Sequence, residues 1–448
     1  MRIIVIGAGE VGRHLCQQLS HEDHDVVLID RDQEKLRRVE RDLNILTITG
    51  NGGSGTVLRQ AGASKADLFI AVTDIDEVNL ISCIMAKQFG ARSLIARVRS
   101  EDYLNADSPF NGEDLGIDLL INPDKVMAEE ILKISEYTHS FEIVEFARGE
   151  VMLIGYQVVA DNPACGMALA DLKSKRGDHD FVVVAIVRQG ETLIPRGDDI
   201  IRENDKIYIV VKKNDVRAAE DILGMEQKPL EKVFIIGGGR VGLNVARKLE
   251  QQAIDVYIVE KNSAKCEYLA EELENAVVLN VDGLEARDLI QEGIDAADLL
   301  VAVTNGDTTN ILASLLAKHH GARKCITRIS HPDFIPLLGK LGIDVALSSR
   351  LVAANMILRF VRRGLILSVA SLLGSDAEVV EFIVSDQWKF AETALKEIKF
   401  PRQANIGAVI RDGEVIIPSG DTVFHNGDRL IIFTMKRAVP KVEKLLTA

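Results

Sequence analysis

Residues 3–12 read IIVIGAGEVG and residues 233–242 read VFIIGGGRVG. In both, an apolar run with the character of a buried strand passes directly into G-x-G-x-x-G, with Gly7, Gly9 and Gly12 in the first copy and Gly237, Gly239 and Gly242 in the second. Glycines there allow a tight turn and a close backbone approach, and the helix that follows offers unpaired N–H groups and a positive dipole to a pyrophosphate. Ala8, Glu10 and Val11, and Gly238, Arg240 and Val241, complete the two loops. Eighteen residues after the last glycine, each copy reaches an acid at the end of its second strand, Asp30 and Glu260. A carboxylate in that place accepts both ribose hydroxyls and repels a 2′-phosphate, which favours NAD or an adenine nucleotide over NADP.

The loops belong to a longer internal repeat. Arg2 to Asp42 realigns on Lys232 to Glu272 at a constant offset of 230. After one extra residue the offset is 231, pairing Gly52 with Gly283, Asp67 with Asp298, Thr73 with Thr304, Asn79 with Asn310 and Arg97 with Arg328. A second block repeats as well, IPRGDDIIRENDKIYIV from Ile194 and IPSGDTVFHNGDRLIIF from Ile417. The order is therefore A, B, A′, B′.

Within A, the runs RIIVIG, DVVLID, NILTIT, DLFIAVT and SLIARV alternate with helical stretches, and strands apolar on both faces between helices predict a parallel sheet covered on each side. Asn122-Pro123, an N-cap followed by proline at the first helical position, opens a linking helix, and Ser348 opens its counterpart. Unit B alternates FEIVEF, VMLIGYQV, FVVVAIVR and KIYIVV, with RQG (Arg188 to Gly190) and RDG (Arg411 to Gly413) suited to hairpins. The predicted fold is two tandem Rossmann-like, doubly wound α/β sheets, each followed by a small α+β module. The expected divisions are 1–122, a linking helix over 123–139, 140–225, then 231–347, a linking region over 348–369, and 370–448, with Glu226-Gln227-Lys228-Pro229 as the polar join between halves.

Composition narrows the function. The 448 residues carry 53 basic and 67 acidic side chains, a net charge of −14, which argues against a generic nucleic-acid binder. The most apolar long stretch, Ile357 to Leu373, is broken by Arg359, Arg362 and Arg363, so no membrane span is expected. The N-terminus enters a strand at once and leaves no space for a targeting peptide, which points to the cytoplasm. Cys16, Cys83, Cys165, Cys266 and Cys325 are widely spaced and read as small apolar residues, and no ligand-spaced cluster accompanies His319 and His320, so no metal site is expected.

Ligands of doubly wound sheets lie over the C-terminal ends of the strands. Asn51-Gly52 and Asp282-Gly283 end the third strands, where adenine would lie, and Thr73-Asp74 and Thr304-Asn305 end the fourth, near ribose and diphosphate. Each of these pairs also suits a turn or a helix cap. Arg97 and Arg328 end the fifth strands, placed for a phosphate, a neighbouring subunit or plain solvent. Glu10 in the first loop stands where the second has Arg240; an acid beside bound phosphates disfavours further phosphate charge and an arginine attracts it, so the two sites differ in nucleotide preference.

The two glycine loops with their acids, the AVT and G-A-R blocks, the linking helices and the two IP-x-GD modules resemble the TrkA family, cytoplasmic regulatory subunits of bacterial and archaeal Trk potassium uptake systems built from tandem RCK (regulator of K⁺ conductance) units. The resemblance covers essentially the whole chain. It implies RCK N-type units that bind NAD(H), ATP or ADP, RCK C-type modules, and a homo-oligomer, most simply a tetramer with a ring of eight RCK units. It also implies a protein that is peripheral on the inner face of the cell membrane and docked on a Trk-type K⁺ transporter subunit. In that family an arginine in the glycine loop reaches a nucleotide phosphate across a subunit contact; Arg240 matches that position and Glu10 departs from it.

A coenzyme-type fold does not by itself decide function. The alternatives are an NAD-dependent oxidoreductase, and a nucleotide sensor for some other partner. A dehydrogenase needs a proton donor in a substrate domain facing the nicotinamide, whereas the repeated acids of unit B, Asp198, Asp205, Asp421 and Asp428, read as structural.

Overall fold

The computed structural model describes residues 1–21, 24–104, 112, 114–175, 181–225, 228–331, 334–361, 366–371, 377–385 and 388–446. Of the sequence-based landmarks, Glu226 and Gln227 in the join and Arg362 and Arg363 lie outside the described residues. Strands β1 (Arg2–Ile6), β2 (Asp25–Asp30), β3 (Leu46–Thr49), β4 (Leu68–Ala71), β5 (Ser93–Arg97) and β6 (Leu119–Ile121) form one parallel sheet in the order β3-β2-β1-β4-β5-β6. The order reverses direction beside β1, the switch point that defines a Rossmann-like site. Ile3, Ile4 and Val5 are buried on both faces of the sheet, which is why this strand reads as an unbroken apolar run.

The first B unit is antiparallel, with β7 (Ser140–Phe146), β8 (Val151–Gln157), β9 (Phe181–Arg188), β10 (Glu191–Leu193) and β11 (Lys206–Lys212) ordered β10-β9-β11-β8-β7. The second half repeats both sheets. Strands β12 (Lys232–Ile236), β13 (Asp255–Val259), β14 (Val277–Leu279), β15 (Leu299–Ala302), β16 (Lys324–Ile329) and β17 (Val345–Ser348) take the order β14-β13-β12-β15-β16-β17. Strands β18 (Ile366–Ser371), β19 (Ala377–Ile383), β20 (Ala404–Arg411), β21 (Glu414–Ile416) and β22 (Arg429–Met435) take the order β18-β19-β22-β20-β21. The RQG and RDG hairpins are present, with positive φ at Gln189, Gly190, Asp412 and Gly413, the geometry a two-residue primed turn demands.

Sequence patterning yields five strands per A unit and four per B unit, and the structure adds β6 and β17 to the former and β10 and β21 to the latter. Each of the four is an edge strand, three or four residues long, and at least part of each is only half-buried, so its periodicity is weak.

The linking helices cross between halves. Helix Pro123–Ser135, opened by Asn122 Oδ1 accepting from the Asp124 and Lys125 N–H groups at 2.9 and 3.1 Å, packs on helix Arg240–Leu249 of the second half. Helix Ser349–Val361 packs on helix Glu10–His21 of the first half, and the two linking helices pack on each other. Lys324, buried on β16, donates its Nζ protons to the carbonyls of Ile134 (2.9 Å) and Tyr137 (2.8 Å) at the C-terminal end of the first linking helix. The B modules also meet, through a core that joins Val184, Val187 and Val210 with Ala408, Ile410 and Phe433.

The acids singled out in the B units divide by burial. Asp205 is fully buried and accepts from Arg188 Nε and Nη2 at 2.8 and 2.7 Å and from the Arg202 N–H at 2.8 Å. Asp428 repeats this with Arg411 at 2.8 and 2.7 Å and the His425 N–H at 2.8 Å. Each closes the loop leading into the central strand of its module. Asp421, by contrast, is exposed and pairs with Lys396.

Two stability predictions follow from these contacts. Asp205→Ala leaves a partly buried guanidinium and a backbone donor without an acceptor and is expected to cost about 3 kcal/mol, read by denaturant unfolding. Burial pulls the Lys324 pKa down to about 7 against the opposing attraction of Asp344. The unfolded chain holds that proton to about pH 10, so between these values the unfolded state binds more protons and stability from this residue rises with pH. Wild type is therefore expected to gain about 1 kcal/mol per pH unit over Lys324→Met between pH 7 and 10, and a parallel pair of stability curves would contradict the assignment.

Candidate functional site

The first glycine loop is built for close approach. Gly7 has φ +107°, and a Cβ on it would meet the Val72 carbonyl and the Thr73 nitrogen at 3.0–3.1 Å. A Cβ on Gly12 would lie 1.8 Å from the Gly7 oxygen, so the helix can begin against the turn only without one. Gly9 faces open space. Asp30 holds the loop from the side: its Oδ2 accepts from the Ala8 N–H at 2.5 Å and its Oδ1 from the Asp32 N–H at 2.8 Å.

The second loop repeats the plan. Gly237 has φ +113° against Thr304, a Cβ on Gly242 would lie 2.0 Å from the Gly237 oxygen, and Glu260 accepts from the Gly238 N–H at 3.2 Å and the Asn262 N–H at 2.9 Å. Gly52 and Gly283 press against Ile6 and Ile236, leaving 2.2 and 2.3 Å where a Cβ would stand. Asn51 and Asp282 are exposed and accept from backbone N–H groups two residues on, at 3.1 and 3.0 Å.

Thr73 and Thr304 are each held by a buried asparagine that sequence reading paired in the repeat but did not place in the site. Asn79 Oδ1 accepts from the Thr73 N–H (2.9 Å) and hydroxyl (2.7 Å), while its Nδ2 donates to the carbonyls of Thr73 (3.0 Å) and Arg97 (2.8 Å). Asn310 does the same for Thr304 and Arg328 at 2.8, 2.6, 3.0 and 2.9 Å. One amide thus fixes the ends of the fourth and fifth strands together in each half. Its only sequence signal is an asparagine six residues after the strand-end threonine in both copies.

The arginines at the strand ends behave differently. Arg97 is buried and donates to the Thr73 carbonyl (2.8 Å) and to Asp74 Oδ1 (2.9 Å), and this guanidinium holds the Asp74 carboxyl below the usual carboxylate range. Arg328 stays within its own half for its hydrogen bond, its Nε donating to Ser349 Oγ at 3.0 Å, and it lines the first half's cleft. Asn305 is exposed.

The cleft over the first glycine loop has a volume of about 580 Å³ and is composite. The first half supplies Gly7, Ala8, Gly9, Glu10, Val11, Asp30, Gly52, Thr73, Asp74 and Arg97, and the second half supplies Arg328, Ser330, Ser349 and Arg350. Its lining carries eight Lys or Arg residues (Arg13, Arg31, Lys35, Arg38, Arg97, Arg99, Arg328, Arg350) and four acids (Glu10, Asp30, Asp74, Asp124), an excess of four positive charges in a chain whose net charge is −14. Glu10, read from sequence as repelling phosphate, is paired with Arg350. Arg240 projects from the second loop to within 3.8 Å of Asp124, on the rim of this first cleft. Among the described residues, no group of three or more His, Cys, Asp or Glu side chains is arranged to hold a metal ion, and no helix is long and apolar enough to cross a membrane.

Fold and site define a class: two Rossmann-like α/β units with glycine-loop sites, each joined to an antiparallel α+β module. The TrkA-N domain matches residues 3–123 and 233–349, and the TrkA-C domain residues 153–224 and 379–447. The chain is 36% identical over 453 residues to Trk system potassium uptake protein TrkA homolog 1 of Methanosarcina mazei, spanning 99% of both chains. It is 37% identical over 450 residues to Trk system potassium uptake protein TrkA of Halomonas elongata, spanning 99% of this chain and 98% of that one. The solved GsuK RCK domain has the same fold, with a TM-score of 0.61 over 99% of this chain and 94% of that one at 20% identity. The GsuK channel bound to NAD gives 0.61 over 99% and 78% at 19% identity. The chain belongs to the TrkA family, with a TrkA-N and a TrkA-C domain in each of its two halves.

The asparagine knots yield a direct test. Asn79→Ala strips four hydrogen bonds from a buried position and is expected to cost about 2–4 kcal/mol, with Asn310→Ala costing a similar amount, measured by chemical denaturation. A loss below about 0.5 kcal/mol in both would show that the strand ends are held by other contacts.

Proposed function

We propose that this chain is a nucleotide-sensing regulatory subunit: NAD(H), with ATP and ADP as further ligands, binds over the glycine loops and biases a cytoplasmic ring that controls a Trk-type K⁺ transporter. The excess of four positive charges around the Gly7–Gly12 turn carries this reading, since a cleft with that balance in an acidic protein favours a polyanion. In this reading Asp30 and Glu260 accept ribose hydroxyls, the loop N–H groups and Arg350 meet phosphates, and Thr73 and Thr304 contact the middle of a dinucleotide. The GsuK channel, which shares the fold, was solved bound to NAD. Arg240 lies 3.8 Å from Asp124 of the first cleft's lining, which supports a phosphate role for it across the interface between halves.

The sensor is not an enzyme in this reading. The repeated B-unit acids Asp205 and Asp428 are each held by an internal arginine, so neither is offered as a proton donor to a nicotinamide. A homotetramer with eight RCK units, peripheral on the inner face of the membrane, is the assembly proposed.

Calorimetric titration of the nucleotide-free protein with NADH, ADP and ATP tests it, with NADH absorbance followed in parallel. Binding without consumption of NADH is expected, and Asp30→Arg is expected to weaken NADH in the first half by about 10–100-fold through loss of charge-assisted hydrogen bonds. No binding, or turnover of NADH with a metabolite, would overturn the proposal; a strict monomer by light scattering would remove the ring.

A further inference from the structure

Two ion pairs cross between the halves, and they are the same pair with its charges reversed. Glu10 and Arg240 are the first residues of the two glycine-loop helices, and Asp124 and Arg350 are the second residues of the two linking helices. Glu10 of the first half pairs with Arg350 of the second, and Arg240 of the second half meets Asp124 of the first at 3.8 Å. The repeat therefore places an acid against a base at both equivalent positions, in opposite orientation.

Consider what these positions would meet in other pairings of equal geometry. Two first halves brought together would set Glu10 against Asp124, acid on acid. Two second halves would set Arg240 against Arg350, base on base. Only a first half with a second half is attractive at both places. Lys324 points the same way: its equivalent in the first half is Ser93, so the buried Nζ donor that caps the first linking helix at Ile134 and Tyr137 is available only from a second half. Like charges brought together act against a wrong partner, and opposite charges favour the right one.

We propose that Glu10–Arg350 and Arg240–Asp124 form a partner code that makes each half pair with its complement and not with a second copy of itself. Apolar packing between linking and glycine-loop helices is common to all three pairings and supplies adhesion without choice. The reversed charges supply the choice. Because Glu10, at 64% exposure, and Arg240, at 65%, are wet, each pair contributes little to stability by itself, and its effect is expressed as the difference between pairings.

The test uses the full chain without nucleotide, so its outcome is independent of ligand binding. Glu10→Arg and Arg350→Glu are made singly and together, as are Arg240→Glu and Asp124→Arg. Each single reversal is expected to lower the unfolding midpoint by about 1–2 °C at low salt, and each double reversal to recover at least half of the summed loss, with the recovery abolished in about 1 M salt. The decisive variant exchanges the loops, Glu10→Arg with Arg240→Glu. It opposes both pairs within the chain while making like halves complementary between chains, so its weight-average mass by light scattering is expected to rise above that of wild type. Adding Asp124→Arg and Arg350→Asp should return the mass to the wild-type value and shows that the exchanged chain folds. Additive losses in both cycles, or a loop-exchanged chain with wild-type mass, would overturn the code.

Discussion

The crossing of the linking helices is the constraint on which the remaining architecture rests. A Rossmann-like unit with a glycine loop at its edge presents the helix after that loop to its surroundings, and here each such helix is covered by the linking helix of the other half. Met127, Ala128, Ile131 and Ile134 share one core with Val241, Val245, Ala246 and Leu249, and Ala354, Ile357 and Leu358 share another with Leu15, Cys16 and Leu19. Full burial of a single large aliphatic side chain is worth about 1.5–3 kcal/mol, whereas an exposed ion pair is worth about 0–1 kcal/mol. Adhesion between halves is therefore apolar, and the charges above the seam act on selection and ligand chemistry.

That arrangement explains what was legible in the chain. The glycine loops, the acids that end the second strands, the alternation of apolar strands with helices, the hairpins and the duplication are all local or periodic, and each appears where spacing placed it. The short edge strands β6, β10, β17 and β21 were not legible because three or four residues, some only half-buried, carry too little alternation. Asn79 and Asn310 were visible only as repeat partners, since a helical asparagine gives no sign of accepting from a strand end. Arg328, Ser330, Ser349 and Arg350 could not be assigned to the first cleft from sequence at all, because the interface between halves brings them there. Glu10 read alone is a repelling charge; beside Arg350 it is compensated.

The composite cleft also gives a physical route from ligand to shape. A ligand shifts an equilibrium only by the difference in its affinity for the two states, and a site lined entirely by one rigid sheet has little difference to offer. The first cleft is lined by two bodies: Asp30 and the glycine loop belong to one sheet, while Arg328, Ser349 and Arg350 belong to the strand end and helix start of the other half. In the proposed function, phosphate charge drawn to Arg350 would compete with Glu10, and Arg350 stands at the head of helix Ser349–Val361, which packs against strand β18 of the second B module. That helix packs along helix Glu10–His21, so in the proposed function a phosphate at its first turn would act on a packed element and not on a loose side chain. A coupling of about 1–3 kcal/mol, the usual scale for linked sites, is within what one or two charge-assisted hydrogen bonds supply. In the proposed function the ligand with the greater phosphate charge would gain more from Arg350 and Arg328, and so would favour the arrangement that keeps both arginines on the first cleft.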